Sequence, residues 1–201
     1  MHSMWRAFLL IVAVGIIAFL VIIFSPDEKS KQTMENNNSK FSITSSVFSN
    51  DDFIPQKFSC DGENINPPLL ISGIPEGAVS LALLVDDPDI PQQFKDSLSI
   101  DSFDHWTLFN IPVTGGELSI DEGNIPNGSV VGENSRGNDA YTGPCPPPDM
   151  EPTEHRYFFK VYALDTQLSL DNNATKGDVK SAMDEHILAE AELVGRFDRS
   201  K

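Results

Sequence analysis

The sequence predicts a mainly β domain with one late amphipathic helix packed on a β-sandwich, preceded by an amino-terminal transmembrane helix. Three observations predict it. Short β-favouring runs bounded by Gly, Pro, Asn and Asp recur from Phe41 onward, a helical period is found only near the carboxyl end, and Trp5 to Phe24 is almost uninterrupted hydrocarbon.

The first element is the apolar segment. A chain of 201 residues fits one domain plus an appendage, and Trp5 to Phe24 carries a single charge, Arg6. Its length is close to the roughly 20 residues that cross a bilayer. Ile22-Ile23-Phe24-Ser25-Pro26 offers no small-residue cleavage site. Residues 1–24 are therefore expected to be an uncleaved, single-pass signal anchor. A soluble domain outside the cytoplasm is expected from the position of the span at the start of the chain, although the balance of Arg6 against Lys29 and Lys31 gives this no support. Residues 25–40 are almost devoid of apolar side chains and read as a flexible polar linker.

Residues 41–201 form the domain. Phe41 to Phe48 alternates as a half-buried strand, and Leu69 to Ser72 follows the turn residues of Asp61-Gly62 and Pro67-Pro68. Val79 to Val85 is nearly all apolar, as in a central strand covered on both faces. Ile90 to Asp104 shows no sustained period and reads as a long loop. Trp106 to Ile111, Ser129 to Val131 and Tyr157 to Leu164 are further strands. Gly177 to Leu193 reads as the amphipathic helix, with Val179, Met183 and Ile187 on one face, Thr175 and Asp178 as capping residues and Gly195 as its stop. His186 lies beside that face and is read as structural.

From Phe41 onward the chain has 10 lysines and arginines against 27 aspartates and glutamates, a formal balance of −17. Nucleic-acid binding draws on clustered cations, so it is excluded as a function class. Cys60 and Cys145 are the only cysteines, and two alone do not complete a structural zinc site. They form either one disulfide, if the domain meets an oxidising compartment, or two buried thiols. GxGxxG, GxxxxGK[ST], GxSxG and HExxH are absent, and no cofactor is expected.

Four strings carry the candidate chemistry: DDPDIP (Asp86 to Pro91), DHWTLFNIP (Asp104 to Pro112), YTGPCPP (Tyr141 to Pro147) and HRYFFKVYALD (His155 to Asp165). Three of them bring an ionisable group to a strand end, where binding groups concentrate. If Asp87, His105, His155 and Tyr157 converge, the carboxylate favours charged imidazoles, whose N–H groups suit an anion. Tyr157 adds a hydroxyl, and the Gly143-Pro144 turn could present the backbone N–H of Gly143 or Cys145. Asp87 would accept from an amine or hydroxyl attached to the anion. Affinity is then expected to weaken as pH rises through the histidine range. An alternative in a different class is a metal-assisted hydrolase, with Asp87, His105 and His155 as a three-ligand open site.

The four strings, together with FSCDGENINPPL (Phe58 to Leu69), GENSRGNDAYTGPCPP (Gly132 to Pro147) and HILAEAELVG (His186 to Gly195), resemble the phosphatidylethanolamine-binding protein family, also called Raf kinase inhibitor-like, in its bacterial and archaeal branch. The resemblance implies a β-sandwich of two sheets rich in antiparallel pairs, with peripheral helices. It also implies a small anion pocket formed by Asp87, Asp89, His105, His155 and Tyr157, with Gly143, Pro144 and Pro146 on the neighbouring wall. Its ligand would be phosphate, a carboxylate or a phosphorylated head group, and no metal is implied. A protein partner such as a kinase or a protease is a further implication. Two stretches bordering the presumed mouth, Gln92 to Asp104 and Pro148 to Glu154, depart from the family pattern.

Overall fold

The computed structural model describes residues 40–200. The expected anchor and most of the expected linker lie outside them; among the described residues no helix is long and apolar enough to cross a membrane.

The chain runs β1 (Ser42–Ser45), β2 (Asp52–Phe53), β3 (Leu69–Ser72), β4 (Ser80–Asp87), α1 (Gln92–Leu98), β5 (Phe103–Pro112), β6 (Glu117–Ile120), β7 (Val130–Gly132), β8 (Glu154–Leu164), α2 (Lys176–Met183) and β9 (Ile187–Asp198). A three-stranded sheet has the order β1-β3-β6, and a six-stranded sheet the order β2-β9-β8-β4-β5-β7. Every pairing is antiparallel except β2 with β9.

β4 shows why the architecture has three layers. All eight of its residues are buried, as the apolar run from Val79 anticipates. Side chains alternate across a strand. Leu81, Leu83 and Val85 therefore join Ile43, Leu69, Ile71 and Ile120 in the core between the sheets. Ala82 and Leu84 point the other way, to a second core with Phe109, Tyr162, Val179 and Met183. The last two come from α2, which covers that far face. Its amino terminus has the expected cap, in which the Thr175 hydroxyl accepts from Asp178 N–H and the Asp178 carboxylate accepts from Thr175 N–H.

The expected helix Gly177 to Leu193 is corrected at its second half. The helix ends at Met183, and after a 3₁₀ turn the chain becomes the 12-residue strand β9. Ala189, Ala191 and Leu193 recur with period two and pack toward the inter-sheet core, so pairing with β8 overrides the helix preference of the Ala and Glu residues. Gly195 is an interior strand residue, and a Cβ there would sit 2.5 Å from Ile54 Cγ1. His186 is half exposed in the turn, its Nδ1 2.8 Å from Asp165 Oδ1.

The expected loop Ile90 to Asp104 is corrected as well, because it contains α1. Pro91 opens this helix, and Ser99, at φ 56°, closes it in the left-handed region. At seven residues α1 is too short for its Phe94 and Leu98 spacing to register as a period.

Cys60 and Cys145 are joined as a disulfide, with Cα atoms 5.4 Å apart. It closes a loop between residues 85 apart in sequence. Such a loop is worth about 4.5 kcal/mol in the chain-entropy model.

Candidate functional site

At the ends of β4, β5 and β8, on the side away from α2, lies a cavity of about 260 Å³. It is lined by Asp87, His105 and His155 from the three strands and by Arg136, Cys145 and Pro147 from the following loops. Ile90, Pro91, Phe94, Leu98 and Phe103 complete it with an apolar wall. Alternation along β4 and a bulge in β5 explain the grouping: the register passes from Val85 opposite Trp106 to Asp86 opposite Asp104, so His105 is the extra residue and turns to the same side as Trp106. Asp87 and His105 face the cavity, while their neighbours Asp86 and Asp104 face the α2 side and are clasped by Lys176.

Asp87 is 2 % exposed, and its carboxylate is held at both oxygens. Oδ1 accepts from Asp89 N–H at 2.8 Å, and Oδ2 lies 2.6 Å from His155 Nδ1. His155 Nε2 is 3.0 Å from the carbonyl oxygen of Pro152. Neither nitrogen of His155 is left for a ligand, so this residue orients the carboxylate instead of offering a donor.

His105 is 4 % exposed, and its Nδ1 lies 2.6 Å from the Thr142 carbonyl oxygen. A carbonyl only accepts, so Nδ1 carries a hydrogen. Burial outweighs the attraction of Asp87 and holds the pKa of His105 below the ordinary histidine value. Nε2 is then a lone pair, 4.0 Å from Asp87 Oδ2. The floor of the cavity therefore accepts hydrogen bonds, which differs from the charged-imidazole cradle expected from sequence.

The remaining expected residues divide into supports and neighbours. Tyr157 is buried behind His105, with their rings edge to face at 5.1 Å, and burial pushes its hydroxyl far above the usual tyrosine range. Asp89 is turned outward and binds Arg156 at both oxygens, at 2.7 and 2.8 Å. That guanidinium holds the Asp89 carboxyl below the usual carboxylate range. Gly143 N–H donates to Asn64 Oδ1 at 2.8 Å and is not presented to the cavity. A Cβ on Gly143 would sit 2.2 Å from the Phe58 carbonyl oxygen, so glycine allows the wall to lie against the Phe58 to Asn64 segment. The Pro144 carbonyl accepts from Cys60 N–H in the same seam. Pro144 and Pro146 are not among the lining residues; Cys145 and Pro147, which alternate with them, are.

Sequence reasoning missed Arg136 and the apolar wall. Arg136 is exposed at the mouth, lowers the pKa of His105 by its charge, and makes no side-chain ion pair among the described residues. It was visible only as one basic residue in a loop of Gly, Asn and Ser.

The expected metal-ligand trio is corrected by the same geometry. Among the described residues no group of three or more His, Cys, Asp and Glu side chains is placed to hold a metal ion. With both nitrogens of His155 engaged, Asp87, His105 and His155 do not form an open ligand set.

Comparison with known proteins agrees with this architecture. Residues 44–198 match the model of the phosphatidylethanolamine-binding protein family. A UPF0098 protein of Methanothermobacter thermautotrophicus is 48 % identical over 149 residues, covering 73 % of this chain and 91 % of that protein. A UPF0098 protein of Pyrococcus abyssi is 43 % identical over 159 residues, covering 77 % and 84 %. The crystal structure of a phosphatidylethanolamine-binding protein homologue from Chlamydia trachomatis superposes with a TM-score of 0.71 at 39 % identity, covering 79 % of this chain and 97 % of that one. That of YbcL from E. coli, described as a member of the mammalian family, gives 0.68 at 30 % identity, covering 80 % and 99 %. The chain belongs to the phosphatidylethanolamine-binding protein family.

Proposed function

We propose that the cavity binds a small head group that presents a hydrogen-bond donor, an ammonium or a hydroxyl, to its floor and a phosphate or carboxylate to Arg136 at its mouth. The observation that carries this reading is the order of charges along the cavity. Buried Asp87 and the Nε2 lone pair of His105 accept at the floor, and among the described residues the lining contains one arginine, Arg136, and no lysine.

An aminoalkyl phosphate fits that order, and it is the head-group chemistry contained in the family's name. A free anion alone would satisfy only the mouth. Hydrocarbon attached to the head group would lie on Phe94, Leu98 and Phe103. In the same reading, the segment Trp5 to Phe24 anchors the domain to a membrane outside the cytoplasm, a compartment in which the Cys60–Cys145 disulfide would persist.

Calorimetry of the full-length chain with phosphoethanolamine, ethanolamine and inorganic phosphate tests the proposal. Phosphoethanolamine should bind at least about tenfold more tightly than either fragment, and Arg136→Ala should remove most of that advantage. Phosphate binding that equals phosphoethanolamine binding and survives Arg136→Ala would overturn it.

A further inference from the structure

The outer edge of β9 is open over half its length. Its outer neighbour β2 has two residues and pairs only with Gly195 and Arg196. Asp51 N–H donates to the Val194 carbonyl, and Val194 N–H donates to Asn50 Oδ1. From Ile187 to Leu193 no strand lies on that side among the described residues.

The bonds at Val194 set the phase of this edge. In an antiparallel strand the backbone groups of every second residue point the same way. The N–H and C=O of Glu192 and Glu190 therefore point away from β8, as those of Val194 do. Such a row is a template for an added strand.

The side chains decide what that strand can be. Ala189 and Ala191 face the inter-sheet core and are half-buried against it, so the core-facing side of this edge is apolar. Glu190 and Glu192 face the other way and are exposed, beside a shallow depression shared with Lys160 and Tyr162. Antiparallel pairing of two copies centred on Glu190 or Ala191 would set glutamate against glutamate, which is destabilising. The edge is thus guarded against its own kind and complementary to basic chains.

We infer that the β9 edge from Ile187 to Leu193 docks an extended basic segment of a partner protein. Its Lys or Arg residues stand across from Glu190 and Glu192, and apolar residues alternate with them beside Ala189 and Ala191. This surface is separate from the cavity, and its occupancy does not depend on the ligand proposed above.

The probe is a fluorescent eight-residue peptide of alternating valine and lysine, and the control is the same peptide with every backbone amide N-methylated. Fluorescence polarisation with the full-length chain should show binding to the first peptide and at least about tenfold weaker binding to the second, whose charge is unchanged. The double substitution Glu190→Lys with Glu192→Lys should weaken the first peptide by a similar factor. Glu190→Pro should do the same, because it removes an outward N–H and no bond to β8. Equal binding of both peptides, or binding indifferent to these substitutions, would reduce the interaction to general attraction by an acidic surface and sink the inference. Sedimentation of the full-length chain as a dimer that Glu190→Pro dissociates would also overturn it, in favour of a second copy.

Discussion

The Nδ1 atom of His155 lies 2.6 Å from Oδ2 of Asp87, with both side chains almost fully buried. The pair joins the ends of β4 and β8 and fixes one face of the cavity. Removing one member of a buried pair leaves the other unmatched, which costs about 3–5 kcal/mol. Asp87→Ala should lower stability by that order in urea denaturation. A loss below about 1 kcal/mol would show that the pair does not hold the strands.

His105 makes stability depend on pH. Burial depresses its folded pKa below the unfolded value of 6.5. Its contribution is therefore intact above about pH 6.5 and declines as pH falls from there toward the folded pKa, because the unfolded state takes the proton first. The charges that act on it are those of Asp87 and Asp104, which raise its pKa, and of Arg136, which lowers it. Thermal melts from pH 8 to 5 should show the wild-type chain losing more Tm than His105→Gln on acidification. Parallel curves would count against a depressed pKa.

Gly143→Ala should disturb the wall without touching the ligand. The added methyl meets the Phe58 carbonyl at 2.2 Å, so the seam with Cys60 and Asn64 must open. We expect a loss of about 2 kcal/mol or more, of the order of an overpacked core. Amide exchange should rise at Cys60 and Gly143, whose N–H groups bridge that seam. Unchanged exchange there would contradict a tightly closed wall.

Lys176 tests support from behind the site. Its ammonium binds Asp104 and Ser102 Oγ and lies 3.5 Å from Asp86, so α2 grips both strands that carry the cavity floor. Lys176→Met should cost about 2 kcal/mol, the order of a charged hydrogen bond lost at partly buried carboxylates. It should also weaken phosphoethanolamine binding although it makes no contact with the cavity. Full affinity in the variant would show that the floor does not need the clasp.

Much of the fold was legible because it is written locally. The continuous apolar run before Asp86 marks a strand buried on both faces, and Thr175 with Asp178 marks a helix start; both are where the sequence places them. α1 was not legible, since two turns are too few to show a period. The conversion of Ile187 to Leu193 into a strand was not legible either, because its Ala and Glu residues suit a helix until β8 is present to pair with them.

By itself, the sequence determined the family, the mainly β class and the placing of Asp87, His105 and His155 at strand ends, since each follows from short motifs. Only the tertiary structure decided what those groups do. Hydrogen-bond roles depend on atoms distant in sequence: the Pro152 and Thr142 carbonyls take the ring nitrogens, Arg156 takes Asp89, and Arg136 arrives at the mouth. A donor or acceptor left free is a property of the packed neighbours, and no residue type specifies it alone.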